Sequence, residues 1–490
     1  MSENIQKSPL PCGGGLGVGE TQSIKQGYKQ TSLGILPQEW EVVRLGEVGD
    51  IVGGGTPDTT NSAFWNGKIA WISSSDIDEE SIYKISIRRF INEFAIKNSA
   101  TNLIPAKSVL IISRVGVGKV AVNEIPLCTS QDTQSLILKN AHYIFMAYLI
   151  KHNIKTLLQY NQGTSIQGFT KTELKSLQIP LPPLAEQEKI AQILGVWDKG
   201  ISVLKSLIEA KTKRKKALMQ RLLTPPTHPL TPTAREGEQK SHHDTKAPPL
   251  AGGVGVGYSH IENNRNDDKV LDCHDLTASN LAMTEKNSKA KQSLRFAEFT
   301  DKWQEMRLRD ILQEKSIKNT SNVNLVLSVT NKQGFVAQKD YFEQEVASND
   351  TSNYKVIYKD EFAYNPARIN VGSIAMLEKF EIGILSPMYV VFKCLEKVDN
   401  CFFRYWLESY NFTGVLHRYL SGSVRETLSF NDMKTMHIFL PTLAEQKKIA
   451  QVLSECDKEI ELLKSKFQCL KTQKKGLMQR LLNGEVRVKC

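Results

Sequence analysis

One long helical motif occurs twice in this 490-residue chain, and the repetition limits the architectures that the chain can adopt. The first copy begins at Leu184 with LAEQEKIAQILGVWDKGISVLKS, and the second begins at Leu443 with LAEQKKIAQVLSECDKEIELLKS. The match resumes without a gap at KKALMQRLL and KKGLMQRLL, so that about 23 of the 40 aligned positions are identical. Unrelated helices of similar composition would not share so many residues, and the repeat therefore indicates an internal duplication.

Apolar residues recur in both copies at alternating steps of three and four, the pattern of a heptad seam, interrupted in the first copy at Lys211 and Lys215. An isolated helix of this kind would expose its apolar stripe. The simplest arrangement packs the two helices against each other in an antiparallel or otherwise symmetric pair; the alternative is that each helix packs on its own domain. The predicted helix-pair interface consists of Ile190, Leu194, Trp197, Ile201, Leu204, Ile449, Leu453, Cys456, Ile460 and Leu463.

Residues that favour helix ends flank both copies. Pro182-Pro183 precedes the first copy and Pro225-Pro226 follows it. Before the second copy, Thr442 and Glu445 fit a capping box, and Asn483-Gly484 fits a C-terminal stop. The two helices are therefore predicted to have the same length.

A stretch of about 140 residues with short β-type runs and turn residues precedes each helix. Both stretches open on a tryptophan, with WEVVRLGE from Trp40 and WQEMRLRD from Trp303. Farther along, RVGVGKVA from Arg114 aligns with RINVGSIA from Arg368. The two stretches are related but have diverged far more than the helices, which suggests two different targets held at a fixed separation.

The predicted fold class is α+β, with two globular mixed α/β domains and two long helices. Residues 224–292 are rich in Pro, Gly, Ser, Asn and His and are interpreted as a low-complexity linker. The predicted segments are a flexible amino-terminal tail (1–35), a first globular domain (36–182), a first helix (183–223), the linker (224–292), a second globular domain (293–441), a second helix (442–482) and a carboxyl-terminal tail (483–490).

Composition narrows the functional classes. The net charge is +11, and the two repeated helices carry most of this excess, which favours a polyanionic partner. The eight cysteines are scattered without a C-x-x-C pair, so that no metal site is expected. No long apolar run and no secretory signal are present, which predicts a soluble, cytoplasmic protein that does not interact with membranes.

Four features together resemble the specificity (S) subunits of type I restriction-modification systems. These are the LAEQxxIAxxL opening, the LMQRLL ending, the two-fold repetition and the WxxxRL start of each globular domain. The resemblance covers residues 36–223 and 293–482. The paired motif is specific to that family, whereas any single part of it is not.

The resemblance implies a pseudo-two-fold molecule with two target-recognition domains, separated by two conserved helices that pack as an antiparallel coiled coil and set the spacing. Each domain would read one half of a bipartite asymmetric site in double-stranded DNA. Two modification (methyltransferase) subunits would dock on the helices, and restriction (translocase-nuclease) subunits would join them. S-adenosylmethionine, ATP and Mg²⁺ would belong to these partners and not to this chain. The long tail and the linker depart from the family pattern and leave the path of the linker open.

Catalytic motifs give no competing assignment. Adenine methyltransferases hold a flipped base with an Asn/Asp-Pro-Pro-aromatic loop, but the nearest match, Asn365-Pro366-Ala367-Arg368, lacks the aromatic residue. The sequence contains no Walker lysine motif and no H-E-x-x-H motif. A noncatalytic recognition subunit is therefore expected. The alternatives are a stand-alone DNA methyltransferase or nuclease, and a coiled-coil adaptor whose globular domains bind protein.

Sequence-specific reading of DNA requires Arg, Lys, Asn or Gln at base edges. The candidates lie in Gly-containing loops or beside the aligned motifs, and they are Arg114, Lys119, Gln162, Gln167, Arg368, Asn370, Arg418 and Arg425. For any one of them, a surface charge or a structural hydrogen bond is the alternative. The basic runs at 211–216 and 471–475 are interpreted as a solvated face, with partner docking or phosphate contact as the alternatives.

Overall fold

The computed structural model describes residues 24–159, 168–226, 293–331, 333–341, 350–422 and 426–489. They form two compact units. Unit 1 combines Met1–Leu207 with Leu463–Cys490, and unit 2 is Ile208–Leu462. Each unit contains one of the two globular domains, which we call head 1 and head 2, together with parts of both repeated helices. Residues 1–23 of the predicted tail and residues 227–292 of the predicted linker lie outside the described residues.

Head 1 is built from short strands in several small sheets. Its strands are β1 (Tyr28–Thr31), β2 (Gly34–Pro37), β3 (Glu41–Arg44), β4 (Gly49–Gly53), β5 (Ile69–Ile72), β6 (Arg89–Ile91), β7 (Leu103–Ile104), β8 (Val109–Ile112), β9 (Val120–Val122), β10 (Leu127–Thr129), β11 (Thr133–Leu138) and β12 (Gln178–Leu181). Its helices are α1 (Leu45–Val48), α2 (Glu93–Lys97), α3 (Tyr143–Gln159), α4 (Lys171–Ser176), the 3-10 helices Ser62–Phe64 and Ser74–Asp76, and the start of α5 (Leu184–Leu222).

Two four-stranded sheets dominate head 1. One has the order β4-β11-β8-β9 and is antiparallel throughout. The other has the order β6-β5-β10-β7, with β10 parallel to β5. All four side chains of β8 are buried, because this strand lies inside its sheet with both faces covered. The remaining pairs are β1-β2 and β3-β12.

The strands of head 2 follow the order of β3 to β12 in head 1, and the β1-β2 hairpin has no counterpart among the described residues of head 2. Its strands are β13 (Gln304–Arg307), β14 (Leu312–Lys315), β15 (Leu327–Thr330), β16 (Gly334–Ala337), β17 (Lys355–Tyr358), β18 (Phe362–Tyr364), β19 (Ile374–Met376), β20 (Ile382–Leu385), β21 (Val390–Cys394) and β22 (His437–Leu440). Its helices are α6 (Gln338–Tyr341), α7 (Asn400–Glu408), α8 (Tyr410–Thr413), α9 (Phe430–Thr435), the 3-10 helices Leu308–Asp310, Pro366–Val371 and Leu416–Arg418, and the start of α10 (Leu443–Leu482).

Two sheets of head 2 have the strand order of sheets in head 1, whereas the pairs β15-β16 and β17-β20 replace the four-stranded sheet β6-β5-β10-β7. The antiparallel order β14-β21-β18-β19 matches β4-β11-β8-β9, and the pair β13-β22 matches β3-β12. Strand β22 alternates exposed and buried residues, as expected for a strand with one face on the core. The mixed α/β character predicted for both heads is therefore observed.

Both copies of the repeated motif are continuous helices, as the sequence predicts. Gly484 follows α10 with φ at +70°, and a Cβ there would lie 2.5 Å from Pro37, so that only glycine fits this stop. Half of the predicted capping box is present, since the Thr442 hydroxyl accepts from the Glu445 amide at 3.4 Å. The other half is wrong, because the Glu445 carboxylate instead binds Arg295.

Each head encloses the beginning of its own helix and the end of the other helix. In unit 1, Ile190 and Leu194 of α5 share a buried apolar cluster with Leu481 and Leu482 of α10. In unit 2, Ile449 and Leu453 of α10 share a cluster with Met219 and Leu222 of α5. The two alternatives drawn from the sequence, helix against helix and helix against its own domain, are therefore combined inside each unit.

The chain that follows each helix end also returns to a head, where an arginine meets a buried glutamate. Arg487 binds both carboxylate oxygens of Glu186, at 2.8 and 3.0 Å, and Trp40 Nε1 donates to the same carboxylate at 2.9 Å. In unit 2, Arg295 binds Glu445 at 2.9 and 2.8 Å. Glu186 is 2% exposed and Glu445 is 1% exposed, so that each carboxylate depends on its arginine.

Two predicted tails are therefore shorter than the sequence indicated. Strand β1 and the start of β2 lie in the region 1–35 assigned to a flexible tail, because a short hairpin of mostly polar residues leaves little periodicity. Residues 483–489 do not form a free tail, since Arg487 is bound to Glu186.

We expect Arg487→Ala to lower the free energy of unfolding of unit 1 by about 2–3 kcal/mol, because the Glu186 carboxylate stays buried and loses its cation. The control is Lys489→Ala, which removes an exposed cation two residues away. Urea unfolding of both variants measures the difference. Equal midpoints for the two variants would show that the arginine does not hold this segment.

Candidate nucleic-acid interface

Several loops of head 1 meet along one edge of its sheets. Gly54 N donates to Thr133 O at 3.0 Å and Gly55 N donates to Thr129 O at 2.8 Å, which joins the loop after β4 to the turn between β10 and β11. Trp71 Nε1 donates to Gly55 O at 3.0 Å and adds the end of β5.

Arg89 is oriented within this edge by three neighbours. Its guanidinium lies 4.4 Å from the centre of the Trp71 ring and donates to Ser73 Oγ at 2.7 Å and to the Asp76 carboxylate. Burial alone would raise the pKa of Asp76, but hydrogen bonds from Ser73 and Arg89 outweigh it and hold that pKa below its usual value. Asp76 therefore stays ionised and fixes the arginine.

The two candidates of head 1 that the structure describes lie on the same edge. Arg114 is exposed, and its loop is tied down by Ser113, whose amide donates to Asp132 O at 2.8 Å. Lys119 is half-buried and donates to Ser74 O at 3.1 Å, so that its ammonium group has a structural partner. Gln162 and Gln167 lie outside the described residues.

Sequence reasoning missed Gln131, an exposed residue in the turn between β10 and β11. Its Oε1 accepts a hydrogen bond from the Thr56 hydroxyl. Nothing in the sequence marks this glutamine, because its partner lies 75 residues earlier. We call this group the first edge; it comprises Thr56, residues 73–76, Arg89, Arg114, Lys119 and Gln131.

The corresponding edge of head 2 is formed around the 3-10 helix Pro366–Val371. Arg368 and Asn370 are exposed on this helix, as DNA contact would require. Ser373 Oγ donates to Val329 O at 2.9 Å and ties the following chain to β15. Met388 and Val371 are also exposed. We call Arg368, Asn370, Val371 and Met388 the second edge.

The two other candidates of head 2 are not part of the second edge. Arg418 is exposed on the 3-10 helix Leu416–Arg418, and Arg425 lies outside the described residues. The Asn365-Pro366 match has a structural role, since Asn365 Oδ1 accepts from Ala367 N at 3.1 Å and caps the helix Pro366–Val371.

The basic runs of the repeated helices are not simply a solvated face, as the sequence had suggested. Lys474 binds Asp198 at 2.5 Å within unit 1, and Lys215 binds Asp457 at 2.7 Å within unit 2. Lys211 binds Glu459 at 2.6 Å and Lys471 binds Glu80 at 2.6 Å. The interruptions of the heptad seam are thus positions of ion pairs.

A buried tyrosine completes each of the two equivalent Asp-Lys pairs. The Tyr148 hydroxyl donates to Asp198, and the Tyr405 hydroxyl donates to Asp457 at 2.7 Å. The Lys474 ammonium lies 5.0 Å from the Tyr148 ring centre, and Lys215 lies 5.0 Å from the Tyr405 ring centre. Burial and the neighbouring carboxylate raise the pKa of both tyrosines, so that both stay protonated as donors.

The predicted helix-pair interface residues differ in burial. Ile190, Leu194, Leu204, Ile449, Leu453 and Ile460 are buried. Trp197, Ile201, Cys456 and Leu463 are half-buried. Their assignment to one interface stays a prediction.

None of the helices in the described ranges combines the length and apolar character needed to cross a membrane. Within the same ranges, His, Cys, Asp and Glu side chains do not form a group of three that could hold a metal ion.

A family model, the type I restriction modification DNA specificity domain, matches the chain twice, at residues 37–211 and 300–472. The chain belongs to this family. Members are noncatalytic DNA-recognition subunits of type I systems, and each of the two matches covers one head and most of the helix that follows it.

Individual relatives of the chain are named as specificity subunits of type I restriction enzymes. The type I restriction enzyme MjaIX specificity subunit of Methanocaldococcus jannaschii is 31% identical over 195 residues, which is 39% of this chain and 44% of that relative. The match thus spans less than half of that relative. The MjaVIII specificity subunit of the same organism is 22% identical over 506 residues, covering 95% of this chain and 98% of the relative.

A solved structure described as the structural basis underlying complex assembly and conformational transition of the type I R-M system has the same fold. It superposes with a TM-score of 0.51 at 16% identity, covering 92% of this chain and 99% of that chain.

We expect Lys474→Ala to lower the free energy of unfolding of unit 1 by about 1–2 kcal/mol, because the Lys474 and Asp198 side chains are largely shielded from water. The control is Lys475→Ala, which removes the same charge from the adjacent exposed position. Chemical denaturation compares the two. The ion pair has no structural role if Lys475→Ala is equally destabilising.

Proposed function

We propose that this chain is the DNA-recognition subunit of a type I restriction-modification complex, with each head reading one half of a bipartite asymmetric site in double-stranded DNA. The observation that carries this proposal is that the two heads share a scaffold but expose different side chains at their edges. The antiparallel four-stranded sheets of the two heads have the same strand order, yet the exposed side chains at the first edge include Gln131, whereas those at the second edge include Asn370 and Met388. Two scaffolds of one kind with different exposed side chains fit two different half-sites.

We propose further that the two repeated helices pack as an antiparallel coiled coil, that the molecule has internal pseudo-two-fold symmetry, and that the helices set the gap between the half-sites. Asp198 and Asp457 occupy equivalent positions of the two copies, as do Lys474 and Lys215. The reciprocal pairs Asp198-Lys474 and Asp457-Lys215 support this arrangement, since each joins an early position of one helix to a late position of the other.

The partners proposed are two modification (methyltransferase) subunits docked on the helices, with restriction (translocase-nuclease) subunits joining them. Val196 and Val203 are 71% and 62% exposed on α5, and Leu462 is 71% exposed on α10. Val196 and Val203 are seven residues apart and therefore share one face of α5, where they form apolar surface for a docked partner to cover. Methyl transfer from S-adenosylmethionine, ATP hydrolysis and Mg²⁺ binding are assigned to these partners.

Mapping methylated adenines in DNA from cells that express this chain with its modification subunits tests the proposal. We expect one asymmetric motif with two specified halves and a fixed unspecified gap. A continuous or palindromic motif, or methylation that does not depend on this chain, would contradict the proposal.

The spacer role is tested in the same assay by inserting one heptad after Leu207 and one after Leu462, at the boundaries of the two units. About two helical turns are added to each helix while the contacts inside both units are kept. We expect both half-sites to be unchanged and the gap to lengthen. An altered half-site sequence would count against helices that act as a spacer.

A further inference from the structure

We propose that the turn between β10 and β11 in head 1 and the turn between β20 and β21 in head 2 are base-reading elements, with Gln131 reading a purine in one half-site and Met388 reading a thymine methyl group in the other. This inference rests on the proposed function that the heads bind DNA, and it names the side chains that determine specificity there.

The two turns are the same structural element. In head 1, Thr133 N donates to Ser130 O at 3.1 Å, and in head 2, Tyr389 N donates to Ser386 O at 3.0 Å. Each turn follows a strand of its sheet, β10 or β20, and precedes the strand β11 or β21 at the centre of the neighbouring sheet. Rigid strands on both sides keep such a turn in place, as accurate base reading requires.

Each turn lies beside the loop that carries an aligned arginine. In head 1, Ser113 N and Ser113 Oγ both donate to Asp132 O, at 2.8 and 3.1 Å, which holds the turn next to Arg114. In head 2, Asn365 Nδ2 donates to Met388 Sδ at 3.5 Å, three residues before Arg368. An arginine able to contact phosphate or guanine is therefore a neighbour of the turn in both heads.

Gln131 has the chemistry and the orientation to read a purine. The hydrogen bond from Thr56 uses one lone pair of Oε1 and restricts rotation of the amide. The second lone pair and both N–H groups of the exposed side chain remain for a base edge. A glutamine amide in this state can pair with N6 and N7 of adenine, or donate to the acceptors of guanine, in the major groove.

Met388 offers different chemistry from the same turn. Its side chain is 61% exposed, and Val371 of the same edge is 57% exposed. Apolar side chains recognise the C5 methyl group of thymine, the one apolar feature of the major groove. A methionine held at its sulfur by Asn365 is positioned for that contact.

The test uses the full chain bound to its modification subunits and compares methylation motifs. Gln131→Ala should relax one purine position in one half-site about tenfold and leave the other half-site intact. Gln131→Glu keeps the shape but removes both donors, and should shift preference at that position towards cytosine, whose amino group donates to carboxylates. Met388→Ala should relax one thymine position in the opposite half-site.

Duplexes with uracil in place of that thymine isolate the methyl contact. Uracil should weaken binding of the wild-type complex about fourfold, from the loss of one buried methyl group, and should leave binding of the Met388→Ala complex unchanged. Gln192→Ala and Gln451→Ala are matched controls, because both remove exposed amides at equivalent positions of the two helices. Neither control should change the motif.

The outcomes separate this inference from the proposed function. The wild-type complex serves as the reference only if its motif is bipartite. If both halves of that motif are then unchanged in Gln131→Ala, Gln131→Glu and Met388→Ala, the two turns do not read bases, whereas the proposed function is not contradicted. A change in both halves from one substitution also overturns this inference, since a reader affects its own half alone. A wild-type motif without two halves removes the proposed function itself. Should Gln131→Ala not fold, Gln131→Glu and Thr56→Val make the same measurement.

Discussion

The pairing of one buried glutamate with one arginine in each unit is the constraint on which the rest of the fold depends. A buried carboxylate needs a cation and hydrogen-bond donors, and Glu186 obtains them from Arg487 at the far end of the chain and from Trp40. Glu445 obtains them from Arg295. The chain must therefore return to head 1 after α10, and must reach head 2 before β13, for either carboxylate to be tolerated.

This dependence explains why the helices have stayed alike while the heads have diverged. Each helix packs its first turns in the core of its own head and its last turns in the core of the other unit. A substitution in the LAEQ opening must fit the core of the helix's own head, and a substitution in the LMQRLL ending must fit the core of the other unit. The exposed edges carry no such requirement, so that Gln131 in one head can correspond to Pro387 in the other.

Local periodicity made the helices predictable, because the heptad seam and the residues at the helix ends are read within a few turns of chain. The ion pairs of the helices were not predictable. Lys474 and Asp198 are separated by 276 residues, and no local pattern shows that a lysine in a basic run has such a partner. The part of the capping box that the Glu445 carboxylate should have made is missing for the same reason, since its partner Arg295 lies 150 residues away.

The candidate DNA interface was predictable only in part. The alignment of the two heads marked Arg114 and Arg368, which are exposed in the structure, and also Lys119, which binds a backbone carbonyl. Gln131 and Met388 could not be chosen, because their significance comes from turns that only the folded sheets bring beside those arginines. Amino-acid composition does not show which turns and loops lie next to each other in the folded head.

In this account, each unit contains the beginning of one repeated helix and the end of the other. Zero-length carboxyl-amine cross-linking of the monomeric chain, followed by peptide mass spectrometry, tests this central claim most directly. Both Asp198-Lys474 and Asp457-Lys215 should be recovered from the same single chain, with the exposed pair Lys458-Glu455 inside one helix as the control for the reaction. Recovery of the control pair without either reciprocal pair, or cross-links of these aspartates only between two chains, would contradict the account.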